Sequence, residues 1–527
     1  MSPAAARAPV WRADQGDGRY RNPVLAADFS DPDVVRVGDD FYLVASSFNR
    51  APGLPLLHSR DLVNWSFLGH ALPRLPPEAH YSTPRRGCGV WAPALRWHDG
   101  RFRLYYGDPD HGVFVLTAAD PRGPWTQPHL VKGGYGVIDP CPLWDGDDAY
   151  LVHAWARSRS GVHNRLTLHR MSADGTRLLD EGRVLVDGDL IPGCHTLEGP
   201  KLYRHGGWYW IFAPAGGVAD GWQSVLRSRT VDGPYEHRIV LARNRGPVNG
   251  PHQGAWVSDT AGGDWFLHFQ DRGRFGRVVH LQPMTWRPDG WPVIGADPGG
   301  TGCGTPVPEH TVPAGPRGPA AGPAADDDFT STELGPQWTW QANPGAGWYT
   351  VGGGRLRLTA LPGPGDGDLR LAPNVLGQRL PAVPCTVSTR LFPAGLAPGG
   401  SAGLMVLGDA YAWIGVRRKH VGPHGCFLVR RSGPAPAGAT PLPDRSVPLP
   451  DPDGPVDLEV SVDARGLCRF RFGSGGRTRP IGPPHPATAG RWVGATLGLF
   501  AVTAPETVRA APGGFAEFGA FRVRAGG

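Results

Sequence analysis

The order of hydrophobic and polar residues repeats five times between residues 30 and 270. Each copy contains a polar residue near a Pro or Gly, an apolar stretch, a glycine-containing hairpin and an aromatic-rich stretch. A third strand-like stretch and a polar turn follow each copy. The copies begin at Asp31, Trp91, Asp139, Glu198 and His252, and their hairpin glycines are Gly38, Gly100, Gly146, Gly206 and Gly262. Units of about 55 residues with three or more strands are typical of propeller blades, so the pattern predicts a five-bladed β-propeller.

The second half of the chain has a different pattern. Residues 298–325 consist largely of Gly, Pro and Ala and are predicted to form a linker. Beyond them, short alternating stretches such as 355–361, 385–392 and 456–464 indicate a β-sandwich. We therefore expect an all-β protein with a propeller over residues 20–297, a linker over 298–325 and a sandwich over 326–527.

Composition supports turn-rich β structure. The 77 Gly and 57 Pro alone approach the range of disordered chains, but 19 Trp, 19 Phe and 12 Tyr give far more bulky apolar surface than such chains carry. The 53 basic and 47 acidic residues are interspersed, and the net charge of +6 is diluted over 527 residues. No run of Lys or Arg stands out, so we expect no nucleic-acid partner.

The cysteines and the apolar runs indicate the cellular compartment in which the protein is expected. The seven Cys are scattered, and Cys88, Cys141, Cys194 and Cys303 show no C-x-x-C spacing. Residues 1–18 lack the apolar core of a secretory signal, and no apolar run approaches membrane-spanning length. We expect reduced thiols, a cytoplasmic location and no membrane partner; if a signal peptide had been removed, the protein would be secreted.

The repeat also predicts where reactive side chains come together. In a propeller the first strand of each blade lines the central channel, so the five opening residues should form a ring at one mouth. That ring would bring together three carboxylates, an aromatic side chain and an imidazole. Glycoside hydrolysis needs one protonated carboxyl and one ionised carboxylate, and a third acid nearby raises the pKa of the proton donor. The ring therefore predicts a glycosidase, whereas the hairpin acids Asp39, Asp40, Asp147 and Asp148 are expected to be solvated turn residues.

Specific segments then carry a family resemblance. They include YRNPVLAADFSDPDVVRVGDDFYLVASSF, WAPALRWHDGRFRLYYG, VIDPCPLWDGDDAYLVHAWARSRSG, EGPKLYRHGGWYWIFAPAGG, GPHQGAWV and LHFQDRGRFGRVVHLQPMTW. Together they resemble glycoside hydrolase family 43, in its β-xylosidase and α-L-arabinofuranosidase branch, from about residue 20 to 297. The segment DDFTSTELGPQWTWQANP resembles the start of the concanavalin-like sandwich that often follows this propeller.

The resemblance implies an inverting mechanism with separate roles for the acids. Asp31 in SDPD is similar to the general base, Glu198 in LEGPKLY to the general acid, and Asp139 in VIDPCP to the residue that tunes and orients the acid.

The resemblance also implies substrate-binding residues. Phe48 and Trp91 are similar to the aromatic walls of the terminal-sugar pocket, and Arg277 to a substrate-contacting arginine. His252 is similar to a channel histidine in contact with substrate that also lies beside a structural ion or water. No cofactor is expected for the chemistry, but a structural calcium ion in the channel, bound by His252 directly or indirectly, is expected as a candidate.

These features predict an exo-acting, inverting enzyme that releases terminal α-L-arabinofuranose, β-D-xylose or both from hemicellulose-derived oligosaccharides. The oligosaccharide is the expected partner, and a homo-oligomer is compatible with the sequence. The alternatives are an endo-arabinanase or galactosidase-type relative, a non-catalytic carbohydrate-binding propeller with a lectin-like sandwich, and a propeller scaffold for protein partners. Retention of all three acids argues against a pure binding role.

Overall fold

The chain forms an all-β structure with two sheet-built parts. The computed structural model describes residues 9–244, 246–323, 325–363, 368–418, 425–431, 445–503 and 514–526, with only the backbone of 425–431. In that part of the chain no helix is long and apolar enough to cross a membrane. The described α-helices are two four-residue turns, α1 (Arg157–Ser160) and α2 (Gly217–Asp220).

The first part consists of five four-stranded antiparallel sheets, each formed by consecutive strands. The first two sheets comprise β2 (Asp33–Val37), β3 (Asp40–Val44), β4 (Gly53–Ser59) and β5 (Ser66–Leu72), then β6 (Trp91–His98), β7 (Arg101–Asp108), β8 (Gly112–Ala118) and β9 (His129–Gly133). The third comprises β10 (Val137–Asp145), β11 (Asp148–Trp155), β12 (Arg165–Met171) and β13 (Arg183–Asp187). The last two comprise β14 (Lys201–His205), β15 (Trp208–Ala215), β16 (Trp222–Ser228) and β17 (Glu236–Ala242), then β18 (His252–Ser258), β19 (Asp264–Asp271), β20 (Arg277–Trp286) and β21 (Pro292–Ile294).

The five sheets close into a ring. Neighbouring inner strands contact one another in the order β2, β6, β10 and β14, and β18 returns to β2. The first and fifth sheets share one apolar core, in which Val34, Phe41 and Leu43 pack with Leu267 and Leu281. Hydrophobic burial between sheets therefore holds the ring together, because each blade draws all its strands from its own repeat.

A short sheet ties the chain on either side of the propeller. Strand β1 (Arg19–Arg21) pairs antiparallel with β22 (Glu309–Thr311), which lies inside the predicted linker. The linker is therefore partly ordered, and it runs back along the propeller before the second part begins.

The second part is a sandwich of two sheets. One sheet has the order β23 (Thr339–Trp340), β27 (Leu376–Arg379), β37 (Thr496–Thr503), β29 (Ser401–Leu407), β30 (Tyr411–Arg417), β31 (Gly425–Arg431) and β32 (Arg445–Pro448), with β26 (Leu361–Pro362) beside β37. The other has the order β24 (Tyr349–Gly352), β25 (Arg355–Thr359), β38 (Phe515–Phe518), β28 (Cys385–Phe392), β33 (Val456–Val462), β34 (Leu467–Ser474) and β35 (Arg477–Pro480). Strand β36 (His485–Pro486) pairs with β34, and β39 (Arg522–Ala525) pairs with β28.

The sandwich packs directly against the propeller. Its main core includes Phe275 and Val278 of the fifth blade together with Trp338 and Trp340. Ala51 and Trp340 exchange backbone hydrogen bonds of 3.1 and 2.6 Å across the boundary. The prediction of a five-bladed propeller followed by a β-sandwich is confirmed, and both tryptophans belong to the buried core of the sandwich.

Candidate active site

The three predicted acids lie at one mouth of the channel, close to the starts of inner strands. Asp31 stands two residues before β2, Asp139 is the third residue of β10, and Glu198 stands three residues before β14. Asp31 and Asp139 have φ values of 54° and 56°, a left-handed conformation that is uncommon outside glycine. The pairing of β10 with β11 shifts register between Ile138 and Cys141, and such bulges re-aim a side chain. Local backbone strain of this kind is concentrated at functional sites.

Asp31 is buried and held by three donors. The hydroxyls of Ser46 and Ser30 donate to Oδ2 at 2.6 and 2.9 Å. The Arg277 guanidinium lies 3.2 Å from Oδ1 and also donates to the Ser30 hydroxyl at 2.6 Å. These contacts fix the direction of the carboxylate and compensate its charge inside the pocket.

The surroundings of the Asp139 carboxyl change its protonation. Burial, followed by the negative charges of Glu198 and Asp31, raises the pKa of Asp139 to about 8. The Gly199 N–H donates to Asp139 Oδ2 at 2.8 Å, so the peptide next to Glu198 is bound to the neighbouring acid. The cluster therefore retains a proton near neutral pH, and coupled carboxyls of this kind titrate as a unit.

The sequence did not single out Lys201, a buried cationic residue close to the acids. Lys201 Nζ is buried 3.4 Å from Asp33 Oδ2 and donates to the Pro93 carbonyl at 2.8 Å. The Arg96 guanidinium also pairs with Asp33 at 2.8 Å. The charge of Lys201 lowers the pKa of Asp139, against the larger effects that raise it. Asp33 lies within the SDPD motif and Lys201 within the LEGPKLY motif. Their places in these motifs are the signal that could have identified them.

Aromatic side chains form the walls of the pocket. The rings of Phe48 and Trp91 lie 6.3 Å apart in an edge-to-face arrangement. Trp492 of the sandwich approaches the same place, with its ring 6.2 Å from Trp91 and 5.8 Å from the Arg277 guanidinium carbon. The sequence predicted Phe48, Trp91 and Arg277 but could not name Trp492, since nothing in its local pattern connects residue 492 with the propeller.

One buried carboxylate connects the Trp492 loop to Arg277. Asp28 accepts hydrogen bonds from the backbone N–H groups of Arg277 at 3.0 Å and Gly494 at 2.9 Å. A Cβ on Gly494 would lie 2.5 Å from the Gly276 nitrogen, so only glycine permits this approach. The loop that carries Trp492 is thereby fixed to the strand that carries Arg277.

His252 lies beside the acids at the start of the fifth blade. Its buried Nε2 is 3.3 Å from Glu198 Oε1, but the alignment is not that of a hydrogen bond, and both ring nitrogens lack a hydrogen-bond partner among the described residues. Calcium takes six to eight oxygen ligands. The described residues bring no three His, Cys, Asp or Glu side chains together for a metal, so side chains alone do not fit a calcium site. The calcium ion stays a prediction.

Contacts link all seven predicted site residues at this mouth. Asp31 contacts Arg277, Glu198 contacts His252, and Asp139 interacts electrostatically with both other acids. Trp492 connects Arg277 with Trp91, which packs on Phe48. Two buried aspartates, a half-buried Glu198 and aromatic walls can together protonate a leaving oxygen, activate water and stack on a sugar ring. Fold and site together define a propeller enzyme of the glycosidase class.

Comparison with known proteins agrees with this class. Residues 20–292 match glycosyl hydrolases family 43, and residues 326–524 match the β-xylosidase C-terminal concanavalin A-like domain. A β-xylosidase of Formosa agariphila is 32% identical over 94% of this chain and 89% of its own. A non-reducing end α-L-arabinofuranosidase of Bacteroides ovatus is 32% identical over 74% of each chain. The solved Bacteroides ovatus structure "Xyloglucan PUL GH43B" superposes with a TM-score of 0.83 at 26% identity, covering 96% of this chain and 100% of that one.

The chain belongs to glycosyl hydrolase family 43. It is a glycosidase built from the family's propeller and a concanavalin-like sandwich, as the motifs predicted.

Proposed function

We propose that this protein is an exo-acting, inverting glycosidase that releases terminal β-D-xylose, α-L-arabinofuranose or both from hemicellulose-derived oligosaccharides. The observation that carries the proposal is the convergence of three acids at one channel mouth: Arg277 pairs with Asp31, His252 lies beside Glu198, and the Gly199 N–H next to Glu198 donates to Asp139. Relatives named β-xylosidase and α-L-arabinofuranosidase support both sugars.

The three acids have different tasks in this proposal. Asp31, oriented by Ser30, Ser46 and Arg277, accepts a proton from the water that attacks the anomeric carbon. Glu198 donates a proton to the glycosidic oxygen, so the C–O bond breaks with a neutral alcohol as the leaving group. Asp139 repels excess negative charge and thereby favours retention of the proton by the cluster.

Exo action is supported by the placement of Trp492. Its ring stands between Trp91 and Arg277, so the sandwich covers one side of the mouth. A pocket closed on that side suits a terminal sugar, whereas an endo-acting enzyme needs a groove open at both ends. Inversion also requires about 6.5–9.5 Å between the carboxyls of Asp31 and Glu198, which leaves room for the attacking water.

The test uses leaving groups of different acidity. Glu198→Gln should lose about 10²–10⁴-fold in kcat/KM on xylo- or arabino-oligosaccharides and much less on dinitrophenyl pentosides, whose leaving groups need no protonation. Asp31→Asn should lose activity on both kinds of substrate, because water must be activated in either case. Equal losses on both kinds for Glu198→Gln would contradict its role as acid.

The sugar is identified in the same assay. Nitrophenyl β-D-xyloside, α-L-arabinofuranoside and β-D-galactoside are compared as substrates of the full-length protein. Turnover of either pentoside with little on the galactoside is expected, and a preference for galactoside or for internal bonds of arabinan would overturn the proposal.

A further inference from the structure

Tyr135 exposes its ring at the same mouth as the acids. It lies in the turn that leads from β9 into β10, four residues before Asp139, and the residue is 70% exposed. A single exposed aromatic residue needs no explanation by itself. The position and fixation of Tyr135 distinguish it from other exposed apolar residues.

The turn around Tyr135 is held in place on both sides. The Gly136 N–H donates to the Pro109 carbonyl at 2.7 Å, and the Gly136 carbonyl accepts from Ala156 N–H at 2.8 Å. A Cβ on Gly136, whose φ is 75°, would lie 2.7 Å from Ser160 Cβ. The backbone that carries the exposed ring is therefore ordered before any ligand arrives, which lowers the entropic cost of binding.

The same loops connect Tyr135 to the pocket wall. Arg159 Nε donates to Asp110 Oδ1 at 3.0 Å, next to the Pro109 carbonyl that holds Gly136. The Arg159 guanidinium carbon lies 5.8 Å from the Trp91 ring centre. Arg159 thus packs on the pocket wall at Trp91 and binds the segment that also holds the turn carrying Tyr135.

Arg159 and Tyr135 offer what a sugar chain needs. Aromatic rings pack against the C–H faces of sugars. The Arg159 guanidinium already donates to Asp110, Ser158 and Cys88, and its remaining N–H groups can donate to hydroxyl oxygens. Since the acids stand at the inner end, the terminal sugar occupies the pocket. The rest of the substrate must leave through the mouth.

We propose that Arg159 and Tyr135 continue outward from the pocket wall at Trp91 as a strip that binds the leaving-group side of an oligosaccharide, with Tyr135 as its outer platform. This inference rests on the proposed function, because it assigns the part of the substrate beyond the cleaved bond. It makes chain length a determinant of catalytic efficiency.

The test measures kcat/KM for Tyr135→Ala against substrate length. Nitrophenyl pentosides and oligosaccharides of two to six pentoses are compared, with Tyr135→Phe to retain the ring. Trp97→Ala is the matched control, because Trp97 is a 39% exposed aromatic residue beside the hairpin at the other end of the second blade. Tyr135→Ala should lower kcat/KM roughly 3- to 10-fold on the longest substrates and leave nitrophenyl pentosides and disaccharides unchanged. Tyr135→Phe and Trp97→Ala should behave like wild type at every length.

A binding experiment tests this inference independently of the proposed reaction. Titration calorimetry of Glu198→Gln, with and without Tyr135→Ala, measures affinity for xylohexaose and for arabinohexaose without turnover. Weaker binding of either hexasaccharide after loss of Tyr135 supports the strip even if the enzyme proves to have another preferred bond. No change with Tyr135→Ala at any length, or an equal loss at all lengths, overturns it. A wild-type protein that binds these sugars without hydrolysing them would contradict only the proposed function.

Discussion

Aspartates occur at both mouths of the propeller, but their environments differ. At the acid-bearing mouth, Asp31 and Asp139 are buried, coupled to other charges and held in left-handed backbone conformations. At the hairpin mouth, Asp39 and Asp148 are 60% and 55% exposed and pair loosely with surface arginines at 3.6 and 3.4 Å. Exposed pairs of this kind contribute little to stability, whereas burial and like charges change the chemistry of a carboxyl. Reactivity here follows from the place in the blade rather than from the residue type.

The sharpest contrast is expected between Asp31→Asn and Asp39→Asn. Both changes remove one carboxylate from the first blade, but only Asp31 is positioned to activate water. Asp31→Asn should lower kcat/KM on nitrophenyl pentosides about 10²–10⁴-fold, and Asp39→Asn should leave it unchanged. Equal rates for the two variants would show that the buried mouth is not the catalytic one.

The contribution of the sandwich can be separated from that of the propeller. Trp492→Ala removes the aromatic wall between Trp91 and Arg277 and should lower kcat/KM about 10-fold, mainly through weaker binding of the terminal sugar. Trp492→Phe should recover most of the loss, because a smaller ring still covers the pocket. A loss that also appears as a lower melting temperature would instead indicate a structural role.

The proton on the acid cluster should determine the alkaline limit of activity. With the pKa of Asp139 at about 8, kcat/KM should fall as pH rises through that region. Asp139→Asn removes a carboxylate whose negative charge favours retention of the proton by the cluster. The residual activity of this variant should therefore fall at a lower pH on the alkaline side of its rate profile. Rate profiles between pH 5 and 10, taken with Asp148→Asn as the control, measure this shift; an unmoved limb would contradict the coupling.

The same coupling should appear in folding stability. The pKa of the Asp139 carboxyl rises from 3.8, the ordinary value for an aspartate in the unfolded chain, to about 8 in the folded protein, so unfolding releases a proton between these values. Stability is therefore lost as pH rises from about 4 to about 8, because the fold disfavours the ionised form. Asn cannot ionise, and Asp139→Asn should raise the melting temperature by roughly 2 °C or more at pH 8 and by less at pH 4–5. A gain that does not depend on pH would point to packing instead of charge.

Much of the fold and of the site follows from local repetition. The repeat carries the blade hairpins and places Asp31, Asp139 and Glu198 near the starts of inner strands, because each blade forms from consecutive residues. The pattern did not predict the strand at Glu309–Thr311 in the linker, since pairing with Arg19–Arg21 is a long-range contact.

Long-range packing also hides part of the site from the sequence. Trp492 reaches the pocket because Asp28 binds the Gly494 N–H from the other end of the chain. The raised pKa of Asp139 depends first on its own burial in the folded protein, which residue spacing does not encode.

Inversion at the anomeric carbon is the most direct test of the division of labour between Asp31 and Glu198. Proton NMR of the wild-type enzyme acting on nitrophenyl β-D-xyloside or α-L-arabinofuranoside reports the first anomer formed, before mutarotation. Water activated by Asp31 on the face opposite the leaving group should give α-xylose or β-arabinofuranose first. First appearance of β-xylose or α-arabinofuranose would mean retention and would contradict the base and acid roles assigned to these two carboxylates.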